Sequence, residues 1–386
     1  MRDVMDELLG WWRAGRSVGM GTVVGTFRSA PRPPGAVMLV GPGDDGTSRA
    51  VGSVSGGCVE GAVFDLAHEV AVSGGPVLRR YGISDDDAFA VGLTCGGILD
   101  VFTERVDRES FPELGQIADD VAAGRPVAVA TLVEHPVASL VGRRMVLRPG
   151  GAASSPTSAG PAVLASARMD DAVRDDALGL LAGGLSETIT YGPDGERRGA
   201  GARVFVASFA PRPRLLVFGA IDFAAATARM GSFLGYHVTV CDARPLFATA
   251  TRFPGADEVV TDWPHRYLRA EAEAGRVDGR TVICVLTHDP KFDVPVLEIA
   301  LGLDAAYVGA MGSRRTHDDR LARLREAGVP DDALARLHSP IGLDLGARTP
   351  EETAVSIAAE IVSTRWGGSG RSLTARSGPI HAGVGS

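Results

Sequence analysis

The C-terminal half of the sequence is dominated by short apolar runs that alternate with helical patterns. From Arg214 onward these runs include RLLVF, HVTV, TVICVL and AAYVG, and a polar or glycine-containing turn follows each of them. The runs lack apolar–polar alternation, as expected for strands that are buried on both faces of a parallel sheet. Strands that alternate with helices in this way predict a doubly wound, Rossmann-like α/β domain.

The rest of the chain predicts a second domain of mixed α/β structure. Strands are expected at SVGMGTVVGTF, AVMLV, PVLRRYGI and ILDVFTERV, and a helix is expected after the SGGC turn. We place this domain at residues 1–206, including a middle segment 110–206 in which PVAVATLVE and RRMVLRP form a hairpin. The Rossmann-like domain then covers residues 207–366, with helices also expected over PLFATATRF and PDDALARLH. The glycine- and serine-rich tail 367–386 is expected to be disordered.

Composition and charge argue against several classes of function. The 386 residues have a formal net charge of −8 and no extended basic stripe, which argues against a nucleic-acid partner. No stretch approaches the ~20 apolar residues that span a bilayer, and the acidic start does not resemble a signal peptide. We therefore expect a cytoplasmic protein without a membrane span. The chain lacks the closely spaced cysteines that ligate zinc or iron–sulfur clusters, because its four cysteines are scattered at Cys58, Cys95, Cys241 and Cys284.

Two glycine turns in the N-terminal domain each carry a cysteine. The candidate residues are Ser55, Gly56, Gly57, Cys58 and Glu60 in the first turn and Cys95, Gly96 and Gly97 in the second. A backbone without Cβ atoms can approach a ligand closely and point several N–H groups at an anion. Cys58 precedes a predicted helix, whose N-terminus favours a thiolate, and Glu60 could accept hydrogen bonds from an amino-heterocycle. Tight turns around small buried cysteines would have the same composition.

Turns at the carboxyl ends of the predicted parallel strands carry a second group of candidates. These residues are Gly219, Asp242, His288, Asp289, Ser313, Arg314 and Arg315. Gly219 begins a possible phosphate loop, and Asp242 lies about twenty residues further on, where a ribose-binding acid belongs. The Ser313–Arg315 segment offers N–H groups, a hydroxyl and guanidinium groups to an anion at a helix N-terminus. His288 and Asp289 could transfer a proton or hold a ligand, or could belong to an ordinary hydrogen-bonded turn.

The possible phosphate loop, GAIDF, departs from the usual dinucleotide-binding pattern. Ile221 occupies the position of the second glycine, where its side chain would intrude on a pyrophosphate. Asp222 adds negative charge at the start of the following helix, which repels a phosphate. The loop leaves two interpretations open. Either the domain kept its sheet and lost or altered its ligand, or it serves a nucleotide-dependent oxidoreductase that uses NAD(P).

Six motifs together resemble the XdhC/CoxI family of xanthine dehydrogenase accessory proteins. They are SAPRPPGAVMLV, VGSVSGGCVEGAV, VGLTCGG, VLTHDPKFD, GAMGSRRTHDDRLARL and PIGLDLGARTPEE. The resemblance implies a maturation factor rather than an oxidoreductase. Such a protein binds molybdenum cofactor (molybdopterin), protects it while a cysteine desulfurase supplies its sulfido ligand, and delivers it to a xanthine dehydrogenase or carbon monoxide dehydrogenase.

The resemblance also implies roles for the candidate residues. The first glycine turn would hold the cofactor's phosphate, Glu60 would face the pterin edge, and the soft thiolates of Cys58 and Cys95 would contact molybdenum or its sulfur. A nucleotide in the Rossmann-like domain is a further possibility. The protein is expected to act as a homodimer.

Overall fold

The computed structural model describes residues 1–27, 32–43, 46–82, 97–150 and 163–375. Its contacts divide the chain into two compact units, Met1–Pro211 and Arg212–Arg376. No helix in the described part of the chain is long and apolar enough to cross a membrane.

The N-terminal unit contains two antiparallel sheets within its described residues. The strands of the first sheet are β1 (Val18–Phe27), β2 (Val37–Pro42), β3 (Ser48–Gly52), β4 (Val77–Tyr81) and β5 (Ile98–Val106). Those of the second are β6 (Val127–Glu134), β7 (Arg144–Leu147), β8 (Glu187–Tyr191) and β9 (Ala202–Phe209). The spatial orders are β3-β2-β1-β5-β4 and β7-β6-β9-β8. The predicted hairpin of PVAVATLVE and RRMVLRP is confirmed by the antiparallel pairing of β6 with β7.

Helices pack against both of these sheets. The helices of the N-terminal unit are α1 (Met5–Arg13), α2 (Glu60–Ser73), α3 (Leu114–Ala122) and α4 (Ala167–Gly183). Helix α2 packs on the first sheet and α4 on the second, and apolar side chains such as Met20 and Val129 fill the space between the sheets. Gly19 of β1 lets α2 approach closely, because a Cβ there would lie 2.0 Å from the carbonyl oxygen of Ala67. This contact fixes the position of α2 and of the SGGC turn that precedes it.

The C-terminal unit has the predicted doubly wound sheet. Its strands are β10 (Arg214–Phe218), β11 (His237–Asp242), β12 (Glu258–Thr261), β13 (Val282–Val285), β14 (Tyr307–Ala310) and β15 (Leu337–His338). All are parallel, in the order β12-β11-β10-β13-β14-β15. The order reverses between β10 and β13, which is where ligands bind in folds of this kind.

The apolar runs are buried on both faces of this sheet, as their sequences predict. The helices are α5 (Asp222–Phe233), α6 (Pro264–Glu273), α7 (Pro290–Gly302), α8 (Arg314–Glu326), α9 (Asp331–Leu334) and α10 (Pro350–Trp366). Leu216 and Phe218 of β10 face a core that includes side chains of α7 and α8. Leu215 and Val217 face the opposite core, beneath α5 and α10. Side chains of one strand therefore contribute alternately to two cores.

Two helix predictions in this unit differ from the structure: one helix is absent, and the other is shorter than expected. PLFATATRF forms turns instead of a helix, because Arg244 is tied back to Asp242 and Leu246 is 80% exposed, so the segment lacks a buried apolar face. PDDALARLH forms only the short helix α9 before Leu337–His338 joins the sheet as β15. Helix α7 begins at Pro290, because Asp289 caps it and the proline ring suits the first helical position.

Candidate functional site

The carboxylate of Glu60 is the centre of the SGGC turn. Its Oε1 atom accepts hydrogen bonds from the Ser53 hydroxyl (2.7 Å) and from the Ser55 N–H (2.9 Å). Its Oε2 atom accepts from the Gly57 N–H (2.8 Å) and from the Ser55 hydroxyl. Burial would raise the pKa of Glu60, but these hydrogen bonds outweigh it and lower the pKa to about 2. Glu60 therefore stays ionised and holds the turn closed.

The remaining N–H groups described in this turn are also engaged internally. The Gly56 N–H donates to the Ser53 hydroxyl and the Val59 N–H to the Ser55 hydroxyl, each over 2.9 Å. Gly56 and Gly57 adopt φ angles of 72° and 121°, which only glycine reaches without strain. The turn thus has the shape expected of an anion cradle, but the chain's own carboxylate fills it. Glu60 is already committed to the turn in this conformation, whatever its role toward a heterocycle.

Cys58 lies at the end of this turn, just before α2. Its side chain is half-buried and packs beside the core between the first sheet and α2. Gly97 is buried at the start of β5, whereas Cys95 and Gly96 lie outside the described residues. A joint site formed by Cys58 and Cys95 therefore stays a prediction. The described residues contain no cluster of three or more histidine, cysteine or acidic side chains that could hold a metal ion.

Gly219, at the end of β10, is required by the packing of its own domain. Its φ angle is 115°, and a Cβ atom there would lie 2.9 Å from Cγ2 of Thr287 and 3.1 Å from the carbonyl carbon of Leu286. The loop after β13 therefore passes directly beside the loop after β10. This close approach brings the two loops together at the point where the strand order reverses.

Asp242 uses its whole carboxylate within the fold. Its Oδ2 atom accepts from the Ala220 N–H (2.7 Å) and from Nη2 of Arg244 (2.8 Å). Its Oδ1 atom accepts from the N–H (2.8 Å) and Nε (2.9 Å) of Arg244. Burial opposes ionisation, but the hydrogen bonds from Arg244 and Ala220 hold the pKa of Asp242 below its ordinary value. The position of Asp242 matches a ribose-binding acid, but its oxygen atoms are occupied.

A buried ion pair joins helices α7 and α8, which follow two of the predicted turns. Asp293 of α7 accepts from Nη2 of Arg320 in α8 over 3.1 Å, and the side chains are only 5% and 3% exposed. Arg320 also donates to the Met311 carbonyl (2.8 Å), and the Thr287 hydroxyl donates to Asp293. The sequence analysis did not single out Asp293 or Arg320, although both lie inside the quoted motifs. In each helical pattern a charged residue stands among the apolar positions, and this is the signal that could have indicated a buried ion pair.

His288 and Asp289 do not act on each other in the described structure. His288 is exposed, whereas Asp289 accepts from the Lys291 N–H over 3.1 Å and pairs with its ammonium group over 3.0 Å. These contacts with Lys291 lower the pKa of Asp289. Asp289 therefore has a structural role as the cap of α7, and His288 is open to a ligand.

The Ser313–Arg315 segment forms the N-terminus of α8, as the sequence predicts. Ser313 caps the helix by accepting the Thr316 N–H over 3.2 Å. Arg314 and Arg315 are exposed in the first turn, beyond the carboxyl end of β14. Their guanidinium groups add positive charge where the helix dipole also favours an anion.

These features define a two-unit α/β protein in which a Rossmann unit accompanies an antiparallel unit with a cysteine-bearing glycine turn. The family model described as XdhC Rossmann domain matches residues 215–361, and the model described as XdhC and CoxI family matches residues 11–82. The chain belongs to the XdhC and CoxI family. The resemblance expected from the six motifs is thus confirmed.

The similarity to related proteins extends over nearly the whole chain. It is 27% identical over 350 residues to a probable xanthine dehydrogenase component of Bacillus subtilis (strain 168), covering 90% of this chain and 92% of that protein. It is 27% identical over 352 residues to the molybdenum cofactor insertion chaperone PaoD of Escherichia coli (strain K12), covering 91% and 85%. A crystal structure described as a xanthine dehydrogenase from Bacillus halodurans has a TM-score of 0.66 and 24% identity, covering 96% and 97% of the two chains. This last similarity supports the fold alone.

Proposed function

We propose that this protein is a maturation factor that binds molybdenum cofactor as cargo and delivers it to a xanthine dehydrogenase- or carbon monoxide dehydrogenase-type molybdoenzyme. The observation that carries the proposal is the similarity to the insertion chaperone PaoD, which extends across both units. The scattered cysteines support a maturation factor rather than the oxidoreductase itself, because they lack the spacing of iron–sulfur ligands.

The residues of the SGGC turn favour contact with the metal end of the cargo. The turn's described N–H groups serve Glu60 and two serine hydroxyls, so they are not available to a phosphate in this conformation. The Cys58 thiol is the soft donor at the same turn, and thiolates suit molybdenum and its sulfur ligand. We therefore assign Cys58, with Cys95 as its proposed partner, to the cargo's metal centre.

The C-terminal unit offers a separate candidate site for a phosphate group. Arg314 and Arg315 are exposed at the N-terminus of α8, and His288 is exposed at the end of β13. Guanidinium groups at a helix N-terminus bind phosphate through charge and directed hydrogen bonds. Sulfuration by a cysteine desulfurase and action as a homodimer are further parts of the proposal.

A nucleotide-dependent oxidoreductase is the alternative, and the strand order of the Rossmann unit is the observation in its favour. The occupied carboxylate of Asp242 weighs against it. An NAD ribose would have to replace the Arg244 fork, and Ile221 would still face the pyrophosphate. A scaffold that binds the dehydrogenase without any small molecule is a third possibility.

The proposal is tested by loading the full-length protein with molybdenum cofactor without oxygen and then adding an apo xanthine dehydrogenase. Molybdenum and pterin are counted on the loaded protein, and the activity of the recipient enzyme is followed. We expect the wild-type protein to retain cofactor and activate the enzyme. Cys58→Ala should lose most of both, and Cys241→Ala is the matched control because Cys241 is a buried thiol outside the proposed site.

Each other outcome rejects a defined part of the proposal. Retention and activation that are unchanged in both Cys58→Ala and Cys95→Ala would exclude the thiol site. Binding to the dehydrogenase without any retained cofactor would support the scaffold. Micromolar NAD binding that is lost in Asp242→Ala would support the oxidoreductase.

A further inference from the structure

The N-terminal unit contains a pocket that none of the candidate residues line. It has a volume of about 330 Å³ and lies between the segment after β5 and the turn that connects β6 with β7. Its lining includes the charged residues Glu104, Arg105, Glu109, Glu113, Arg143 and Arg144. Ligand pockets typically measure roughly 300–1,000 Å³, so this one suits a small molecule.

A buried ion pair forms the floor of the pocket. Arg144 donates to Glu104, and the two side chains are only 9% and 7% exposed. Arg144 also donates to the Ser110 carbonyl over 3.0 Å, and its guanidinium lies 4.3 Å from the centre of the Phe111 ring. These two charges neutralise each other and are rigidly held. The floor is therefore polar and preorganised but has no net charge to offer a ligand.

The other charged residues of the pocket differ in how many ion-pair and hydrogen-bond partners they have within the chain. Arg105 pairs with Asp107 over 2.6 Å. Within the described chain, the side chain of Arg143 donates only to the Leu164 carbonyl over 3.4 Å, and the carboxylates of Glu109 and Glu113 have no cationic partner. One guanidinium and two carboxylates therefore remain available in a single pocket of small-molecule size. Such a set complements a ligand with one carboxylate and two cationic groups.

We propose that this pocket binds a dibasic α-amino acid of the arginine or lysine type. The ligand's carboxylate would pair with Arg143, and its α-ammonium and side-chain cation would pair with Glu109 and Glu113. Arg143 suits a carboxylate because its planar fork can donate two parallel hydrogen bonds. The proposal is independent of the cofactor-delivery function, since no residue of the SGGC turn or of the Rossmann unit lines the pocket.

Calorimetric titration of the full-length protein with L-arginine, agmatine and L-citrulline tests this site. Agmatine lacks the carboxylate and citrulline lacks the distal charge, so L-arginine should bind roughly tenfold or more tightly than either. Arg143→Gln should reduce the affinity for L-arginine to that for agmatine and leave the affinity for agmatine unchanged. The double variant Glu109→Gln, Glu113→Gln should reduce the affinity for both L-arginine and agmatine. Arg174→Gln, on the exposed face of α4, is the matched control.

Two further measurements keep the site falsifiable if a charge variant misfolds. Val141→Trp should fill the pocket and abolish L-arginine binding while leaving the circular dichroism spectrum unchanged. Raising the salt concentration should weaken binding, because the proposed contacts are ionic. Absence of L-arginine binding, equal affinity for all three ligands, or binding that survives both Arg143→Gln and Val141→Trp would overturn the proposal.

Discussion

The glycine turn before α2 and the glycine loop after β10 both have backbone N–H groups that need acceptors, and the two regions differ in how the accepting carboxylate is held. In each, backbone N–H groups at the start of a helix are satisfied by a carboxylate of the chain itself, Glu60 in the first and Asp242 in the second. The donors to Glu60 are hydroxyls and N–H groups, whereas Asp242 is also held by the Arg244 guanidinium. The first turn therefore keeps a negative charge, and the second is neutralised.

This difference separates the ligands that the two regions favour. An anion approaching the SGGC turn meets the Glu60 carboxylate, and for this reason we propose that a ligand contacts the nearby Cys58 thiol there. An anion approaching the switch point meets a neutralised aspartate and the exposed Arg314 and Arg315. The same glycine-rich composition thus supports two different kinds of contact, depending on whether an arginine accompanies the carboxylate.

The largest effect is expected for the buried ion pair that joins helices α7 and α8 of the C-terminal unit. Arg320→Met leaves Asp293 charged and without its partner in the interior, which should lower the free energy of unfolding by about 3–5 kcal/mol. Arg323→Met, which breaks an exposed pair on the same helix, is the control and should change little. Urea unfolding followed by circular dichroism measures both. Equal effects of the two substitutions would show that the packing of α7 on α8 does not depend on a buried cation.

Asp242→Asn should have the next largest effect, because an amide cannot accept all of the hydrogen bonds from Arg244 and Ala220. We expect a loss of about 2–3 kcal/mol in the free energy of unfolding, since these hydrogen bonds are charge-assisted. Asp222→Asn is the matched control, because Asp222 lies near the same loop with its side chain 85% exposed. The same urea experiment compares them, and a loss in Asp222→Asn as large as in Asp242→Asn would contradict the assignment.

Glu60→Gln should destabilise the N-terminal unit more modestly. The substitution replaces an acceptor of four hydrogen bonds by an amide that donates on one side. We expect about 1–2 kcal/mol, because the partial exposure of Glu60 reduces the full value of these contacts. Glu69→Gln, on the exposed face of α2, should be neutral. Hydrogen exchange at the amides of Ser55 and Gly57 would reveal the loss locally, and unchanged protection there would argue against the closed turn.

The smallest effect is expected for the pH dependence of the stability that Glu60 contributes through the SGGC turn. The folded pKa of Glu60 is lowered to about 2 from an ordinary value of 4.5, so its contribution is complete above pH 4.5 and is lost as the pH falls toward 2. The stability difference between wild type and Glu60→Gln should therefore be constant from pH 5 to 7 and shrink below pH 4.5. Urea unfolding at several pH values measures it. A difference that grows on acidification would have the wrong sign.

The sequence predicted the positions of these features better than their roles. Unalternating apolar runs located the parallel sheet, and the length of the first strand–helix–strand unit placed Gly219 and Asp242 correctly. The role of Asp242 depends on where the Arg244 side chain folds back, which the linear pattern does not specify. Likewise, the sequence predicts that Glu60 accepts hydrogen bonds from a ligand, and it does not reveal that the Ser55 and Gly57 N–H groups of the chain itself donate to this carboxylate.

Arg320 and Asp293 illustrate the same limit in the Rossmann unit. Both are charged residues within helical segments and would ordinarily be assigned to solvent. Their burial follows from the meeting of α7 and α8 above neighbouring strands, a tertiary contact between segments 27 residues apart. Local periodicity therefore located the helices but not the ion pair between them.

Anaerobic equilibrium dialysis of the full-length protein against a mixture of molybdenum cofactor and NAD⁺ tests the proposed function against the oxidoreductase alternative. We propose that the chain carries molybdenum cofactor, while the Asp242–Arg244 pair closes the Rossmann unit to an ordinary dinucleotide. Molybdenum, pterin and NAD⁺ are measured on both sides of the membrane. We expect molybdenum and pterin to accumulate together with the protein, while the NAD⁺ concentration stays equal on the two sides. Accumulation of NAD⁺ with the protein, and equal molybdenum on both sides, would contradict this proposal.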